Sequence, residues 1–227
     1  MKNIVVIGSS RGIGKALVST LSKNNTVLAL SRNLDRLEEF KSNKNVTIAK
    51  FDVSADSAKD DLTNLIQSTF KTVDVLINNA GVLVNKPILD ITKEDINLSY
   101  NTNVFGLIQS CQATIPFMEQ TGGHIVNIGS MGGFQGSSKF PGLSVYSSSK
   151  AAVASFTECL AEELKDTKIK ANCLALGAAQ TEMLEEAFPG YEAPLSAVEM
   201  AEFIANFSLN SSKWINGKVL PISVSTP

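Results

Sequence analysis

Hydrophobic positions along the 227-residue chain switch between two periods. Short runs rich in β-branched residues recur at NIVVIG (3–8), TVLALS (26–31), NVTIAKF (45–51), VDVLIN (73–78), HIVNIG (124–129), IKANCLAL (169–176) and KVLPISV (218–224). Between them lie GKALVSTLSK, LDRLEEFKS, AKDDLTNLIQSTF, a long segment around VFGLIQSCQATIPFMEQ, VYSSSKAAVASFTECLAEELKD and AVEMAEFIANFSL, where apolar residues stand three and four apart. The runs predict strands and the intervening segments predict helices. Several runs are apolar at every position, as expected of parallel strands covered on both faces. The alternation predicts an α/β fold, a doubly wound parallel sheet (Rossmann fold) of about seven strands with right-handed crossovers and helices on both faces. No shift in composition marks a linker, so residues 1–227 are expected to form one domain.

Two stretches break the pattern, GSMGGFQGSSKFPGLSV (129–145) and GAAQTEMLEEAFPGYEAPL (177–195). Both follow the C-terminal end of an expected strand, the edge at which open α/β sheets bind ligands. The loops near 130–145 and 178–195 are therefore the candidate walls of a substrate pocket.

Charge narrows the partners. Twenty basic and 22 acidic residues are interspersed and leave a formal charge of −2, which provides no basic field for nucleic acid. A small molecule is the expected partner. Cys111, Cys159 and Cys173 are far apart and read as small core residues in a reducing, cytoplasmic compartment. The single histidine, His124, opens an expected strand; it excludes multi-histidine metal sites and a histidine triad centred elsewhere, and no metal is expected. No run reaches the roughly 18 apolar residues of a membrane span, and MKNIVVIG is too short for a signal peptide.

The stretch IGSSRGIG (7–14) sits between the first strand and the first helix. Its residues Gly8, Ser10, Arg11, Gly12, Ile13 and Gly14 suit a phosphate cradle, because free backbone N–H groups and a helix N-terminus converge there. The G-x-x-x-G-x-G spacing differs from the G-x-G-x-x-G fingerprint, so a tight structural turn is the competing reading. The second strand ends at Ser31 and Arg32 instead of an acidic residue. Arg32, with Arg11 from the loop, suits the 2′-phosphate of NADP(H) rather than the bare ribose of NAD(H).

Tyr146 and Lys150 stand four apart at the start of a helix and project from one face. A nearby ammonium stabilises a phenolate, so Lys150 is expected to lower the pKa of Tyr146 into a usable range. Ser130 ends the preceding strand at the same sheet edge, where its hydroxyl suits a substrate carbonyl oxygen.

Taken in order, these motifs resemble the short-chain dehydrogenase/reductase family from Asn3 to about Thr181, with a weaker echo in WINGKVL (214–220). GSSRGIG resembles its cofactor loop, and FDVS carries Asp52 and Val53, which the resemblance sets against the adenine ring. NNAG brings Asn79, Ala80 and Gly81 beside the adenosine ribose, and NTNVFG supplies Asn103, expected to kink a helix and hold a water in a proton relay. The resemblance makes Tyr146 the proton donor and Ser130 the group that polarises the carbonyl. It places Lys150 on the nicotinamide ribose, adds Tyr146 and Gly177 to the cofactor-binding residues, and sets Thr181 and the backbone near Ala179 beside the nicotinamide carboxamide. It implies NADPH-dependent reduction of a ketone or aldehyde, reversible as alcohol oxidation, by a homodimer or homotetramer pairing helices near 99–119 and 146–165.

Two alternatives stay open: a non-catalytic NADPH sensor, and a sugar-nucleotide epimerase or dehydratase, for which the 46 residues after Thr181 leave little room. Four departures bear on the pocket. Ile7 replaces a bracing threonine, Leu176 replaces a proline and is expected to loosen its loop, the Ser130–Tyr146 interval is long, and the end ISVSTP lacks closing glycines. Phe134, Phe140, Met183, Leu184, Phe188 and Tyr191 are candidate apolar pocket residues for a medium-sized carbonyl.

Overall fold

All seven apolar runs become strands of one sheet. In the computed structural model, which describes residues 1–224, these are β1 (Asn3–Ile7), β2 (Thr26–Ser31), β3 (Val46–Lys50), β4 (Val75–Asn78), β5 (Gly123–Ser130) and β6 (Ile169–Leu176). Two short strands, β7 (Ala179–Gln180) and β8 (Leu195–Ser196), pair separately, and β9 (Val219–Ile222) completes the main sheet. Its order is β3-β2-β1-β4-β5-β6-β9, with every neighbour parallel. Strand order reverses between β1 and β4, which opens a crevice at their C-terminal ends. Of the C-terminal ISVSTP, residues 225–227 lie outside the described residues.

Successive side chains of a strand point to opposite faces, and here both faces are buried. Ile4 and Val6 join a core layer with α1 (Gly12–Leu21) and, later in the chain, residues 197–210. Val5 and Ile7 join the opposite layer with α2 (Ala58–Thr69) and helices further along. These four side chains are at most 1% exposed, and each contributes about 1.5–3 kcal/mol through burial. Continuous apolarity in NIVVIG thus reflects a central strand with no wet face.

The long helical segment is divided into α3 (Lys93–Tyr100), a π-helical turn at Asn101–Phe105, and α4 (Gly106–Thr114). Thr92 starts it with a capping box closed by Asp95. It is followed by α5 (Ser144–Glu163), α6 (Glu182–Ala187) and α7 (Ala197–Asn210). LDRLEEFKS forms only a 3₁₀ turn, Asp35–Phe40, which buries Leu37 and Phe40 against the α1 layer. Cys111 and Cys173 are buried as expected, but Cys159 lies exposed on α5. Among the described residues no helix is long and apolar enough to cross a membrane.

His124 starts β5 as expected and is solvent-free. Asn172 Nδ2 lies 3.0 Å from its Nε2, so Nε2 accepts and Nδ1–H donates to Ser208 O at 3.0 Å. Burial lowers its pKa to about 4, against the opposing hydrogen bond to Ser208. Because the folded value is depressed, the stability from a neutral His124 is complete above pH 6.5 and is lost as pH falls toward 4. Acid titration followed by urea unfolding should show a loss of about 3 kcal/mol across that window. In His124→Gln most of that slope should vanish; an unchanged slope would place the acid lability elsewhere.

Candidate active site

The glycine loop is fastened to its neighbours by hydrogen bonds that leave its outer rim open. Gly8 N, Ser9 N and Ser9 Oγ all donate to Leu30 O, at 2.9, 3.1 and 2.9 Å. Asn79 Nδ2 donates to Gly8 O at 2.8 Å, tying the loop to the segment after β4. Gly8 has φ +83° and approaches Ala80 so closely that a Cβ would lie 2.6 Å from its Cα. Bracing that Ile7 cannot provide therefore comes from Ser9, whose only signal in the sequence is the first serine of GSS.

One cavity of about 500 Å³ runs from this loop to Tyr146. Gly8, Ser10, Arg11, Gly12 and Ile13 line it at the end of β1, Ser31, Arg32, Asp52 and Val53 beyond β2 and β3, and Asn79, Ala80 and Gly81 after β4, on the other side of β1. Ser130, Tyr146, Lys150, Gly177, Ala179 and Thr181 continue the lining on that side. Gly14 and Asn103 stand behind the wall. Asp52 is exposed and accepts from Ser54 N and Oγ at 3.0 and 2.7 Å. Partial burial pushes its pKa up, but the Ser54 bonds and the Arg32 charge outweigh it and hold the carboxyl low.

Arg11 and Arg32 both line the cavity, and the Arg11 guanidinium also pairs at 2.5 Å with Glu186 on α6. Thr181 caps α6 by accepting from Leu184 N at 3.2 Å, and its methyl lies 3.0 Å from where a Cβ on Gly12 would stand. Asn85 Nδ2 donates to Ala187 O at 2.9 Å at the other end of this helix. The 182–187 helix is thus held at both ends, and its first turn lines the cavity through Glu182, Met183 and Leu184.

On the catalytic side, Ser130 Oγ accepts from Gly132 N at 3.2 Å and hydrogen-bonds the Tyr146 hydroxyl. Lys150 Nζ donates to Ile128 O at 2.8 Å and lies 6.0 Å from the Tyr146 ring centroid. Burial raises the pKa of Tyr146, opposed by the Ser130 bond. Burial also lowers Lys150 to about 8, with the neighbouring Cys173 acting the other way. In both groups burial is the largest effect, and the Tyr146 pKa lies above its ordinary value instead of below it.

Asn103 lies within the π turn, which forms the kink, but its amide is committed to protein. Oδ1 accepts from Val82 N at 2.8 Å, while Nδ2 donates to Val82 O at 3.0 Å and to Ser149 Oγ at 2.9 Å. No donor remains on this side chain for the expected relay water. Val82 and Ser149 were missed in the sequence, since neither pairing leaves a local pattern.

The two departures nearest the pocket have physical counterparts. Leu176 is buried at the end of β6 and paired with Ile222, and Gly177 N donates to Ile222 O at 2.7 Å. Strand pairing holds the start of this segment where the family has a proline ring. The long interval after Ser130 folds back on itself, with Lys139 Nζ and Ser137 Oγ donating to Phe134 O at 2.7 and 2.9 Å. Lys86 N donates to Gly142 O at 3.0 Å and joins it to the segment after β4. No cluster of three or more His, Cys, Asp or Glu side chains suited to a metal occurs among the described residues.

Comparison with known proteins agrees with this arrangement. The family model for short chain dehydrogenase matches residues 2–192. An uncharacterized oxidoreductase of Staphylococcus epidermidis is 30% identical over 219 residues, 95% of this chain and 94% of that protein. Among solved structures, ElxO with NADP bound superposes with a TM-score of 0.86 at 29% identity, covering 98% of this chain and 97% of the other. A short chain dehydrogenase from Burkholderia cenocepacia J2315 in complex with NADP gives 0.87 at 26% identity, covering 98% and 96%. With the glycine loop, the Ser130–Tyr146–Lys150 cluster and the sheet order in place, the chain belongs to the short chain dehydrogenase family.

Proposed function

We propose that this chain is an NADPH-dependent reductase of neutral ketones or aldehydes. The observation that carries the reading is a single cavity with the glycine loop at one end and the hydrogen-bonded Ser130–Tyr146 pair at the other. The residues fit a dinucleotide: Gly8 and Gly14 allow contacts that a Cβ would close, and free space remains along the loop rim. NADP-bound relatives of the same fold support the choice of nucleotide.

Gly8 to Gly14 would hold the pyrophosphate, with Asp52 and Val53 toward the adenine and Asn79, Ala80 and Gly81 along the ribose. Arg32 would pair with the 2′-phosphate, and Gly177, Ala179 and Thr181 would meet the carboxamide. The nicotinamide supplies a hydride to the carbonyl carbon. Ser130 orients the carbonyl oxygen, Tyr146 delivers the proton to it, and Lys150 supports the charge that develops on the phenol oxygen. Leu83, Met131, Phe140, Met183, Phe188 and Tyr191 make the substrate side apolar. Lys139 is spent on its own loop, and Glu182 and Glu186 face the cavities. That balance favours a neutral carbonyl over an anionic thioester. Exposed Leu98 and Phe105 on the kinked helix support pairing with a second copy.

A panel of aliphatic and aromatic ketones and aldehydes, assayed by NADPH consumption, tests the reading; no turnover above background across the panel would refute it. For cofactor choice, Arg32→Asp is expected to weaken NADPH binding by about tenfold or more, the scale of a charge-assisted hydrogen bond. NADH binding should change far less. Equal NADH and NADPH affinity in the unaltered protein would remove the role assigned to Arg32.

A further inference from the structure

Ser149 lies between the two residues that carry the chemistry, yet it does not line the cavity. It is solvent-free. Its hydroxyl donates to Tyr146 O at 2.7 Å and accepts from Asn103 Nδ2 at 2.9 Å. Other buried helical hydroxyls in this chain, Ser110, Thr114 and Ser208, return theirs to the carbonyl four residues back in their own helix. Ser149 reaches three residues back, to the carbonyl of Tyr146, and takes a hydrogen bond from another helix. Asn103 then continues the connection, because its amide pairs with Val82 N and O. One hydrogen-bonded chain therefore runs from the residue after Gly81, through the π turn, to the first turn of α5.

We infer that Ser149 is a positioning residue: acting through Asn103, it fixes Tyr146 and Lys150 relative to the Asn79–Gly81 wall of the cofactor groove. The inference rests on the proposed reductase reading for its kinetic consequence, but the hydrogen-bonded chain itself does not. Space near Gly81 shows why register matters there. A Cβ on Gly81 would lie 3.4 Å from Asn103 Oδ1 and 3.5 Å from Lys150 Nζ. Wall, relay helix and ammonium thus meet within one atom's width. If Ser149 loses its hydroxyl, one Asn103 N–H is left buried without its acceptor, and the amide rotates or the π turn shifts to satisfy it. A displacement of about 1 Å at reacting groups is enough to cost up to a hundredfold in rate.

Ser149→Ala is expected to lower kcat about ten- to hundredfold, to move the pH limb of kcat, and to lower the melting temperature by only several degrees, so that the protein stays folded at the assay temperature. Asn103→Ala should do the same, and the double variant should be no slower than Asn103→Ala within about twofold, since both break one chain. Losses that multiply, or a Ser149→Ala kcat and pH limb within twofold of the unaltered protein, would overturn the inference. Hydrogen exchange at the Val82 amide, measured without cofactor, reads the same chain independently of turnover. It should accelerate about tenfold or more in Ser149→Ala, and unchanged protection refutes the link. If the panel shows no turnover at all, the reductase reading falls and the Val82 amide still decides this one. Should Ser149→Ala fail to fold, the near-isosteric Ser149→Cys, a poor hydrogen-bond partner, takes its place under the same criteria.

Discussion

Tyr146→Phe is expected to lower kcat for carbonyl reduction about a thousandfold, ~4 kcal/mol of transition-state stabilisation, while NADPH affinity stays within about twofold. The phenol is the acidic group placed against Ser130. Because burial raises its pKa, the donor stays protonated through the neutral range, which suits reduction. Lys150 sets the other limit. Its ammonium, brought to about 8 by burial, is charged below that pH and loses its proton above it. The kcat/KM for NADPH, which reports the free enzyme, should therefore be flat below pH 8 and fall above it. That limb should persist in Tyr146→Phe, since it belongs to Lys150. Retention of kcat within tenfold would show that proton delivery does not pass through Tyr146.

The parts of this protein that were legible in the sequence share one physical cause. A parallel strand buried on both faces must be apolar throughout, so NIVVIG and VDVLIN announced themselves. Strand ends fall along one sheet edge, so Ser130 and the Tyr146–Lys150 pair, separated in sequence, were bound to meet the glycine loop there. What stayed hidden depends on side chains that meet without any local period. Arg11 and Glu186 are paired across 175 residues, a contact that the loop motif does not announce. The expected effect of Lys150 on Tyr146 assumed close contact in a polar setting. Burial of the phenol outweighs that effect and raises its pKa. Ser149 sits in a run of three serines that gives no sign of which hydroxyl is buried, because only the approach of the π turn selects it.

Gly14→Ala separates helix propensity from close packing, and the two point in opposite directions. Within a helix, replacing glycine by alanine gains about 1 kcal/mol, and the backbone of Gly14 is not in the left-handed region. On propensity alone the variant would be more stable. The methyl group, however, would lie 1.9 Å from Gly8 O and 2.6 Å from Asn79 Nδ2. Those two atoms form the 2.8 Å hydrogen bond that joins the glycine loop to the segment after β4. Overpacking of this kind costs about 1–3 kcal/mol, and losing the Asn79 bond adds about 1 kcal/mol. The melting temperature should therefore fall by several degrees, at roughly 2–4 °C per kcal/mol for a chain of this size. NADPH affinity should fall more steeply, about a hundredfold or more, because the displaced atoms set the spacing of two walls that hold one ligand. Gly136→Ala provides the contrast. Gly136 has φ +83° and nothing within 4 Å of its Cβ position, so alanine there costs about 1–2 kcal/mol through backbone strain alone and leaves NADPH binding unchanged. If Gly14→Ala matched that behaviour, destabilised but binding NADPH as before, the close approach of Gly14 to Gly8 would be a packing detail with no bearing on the cofactor groove.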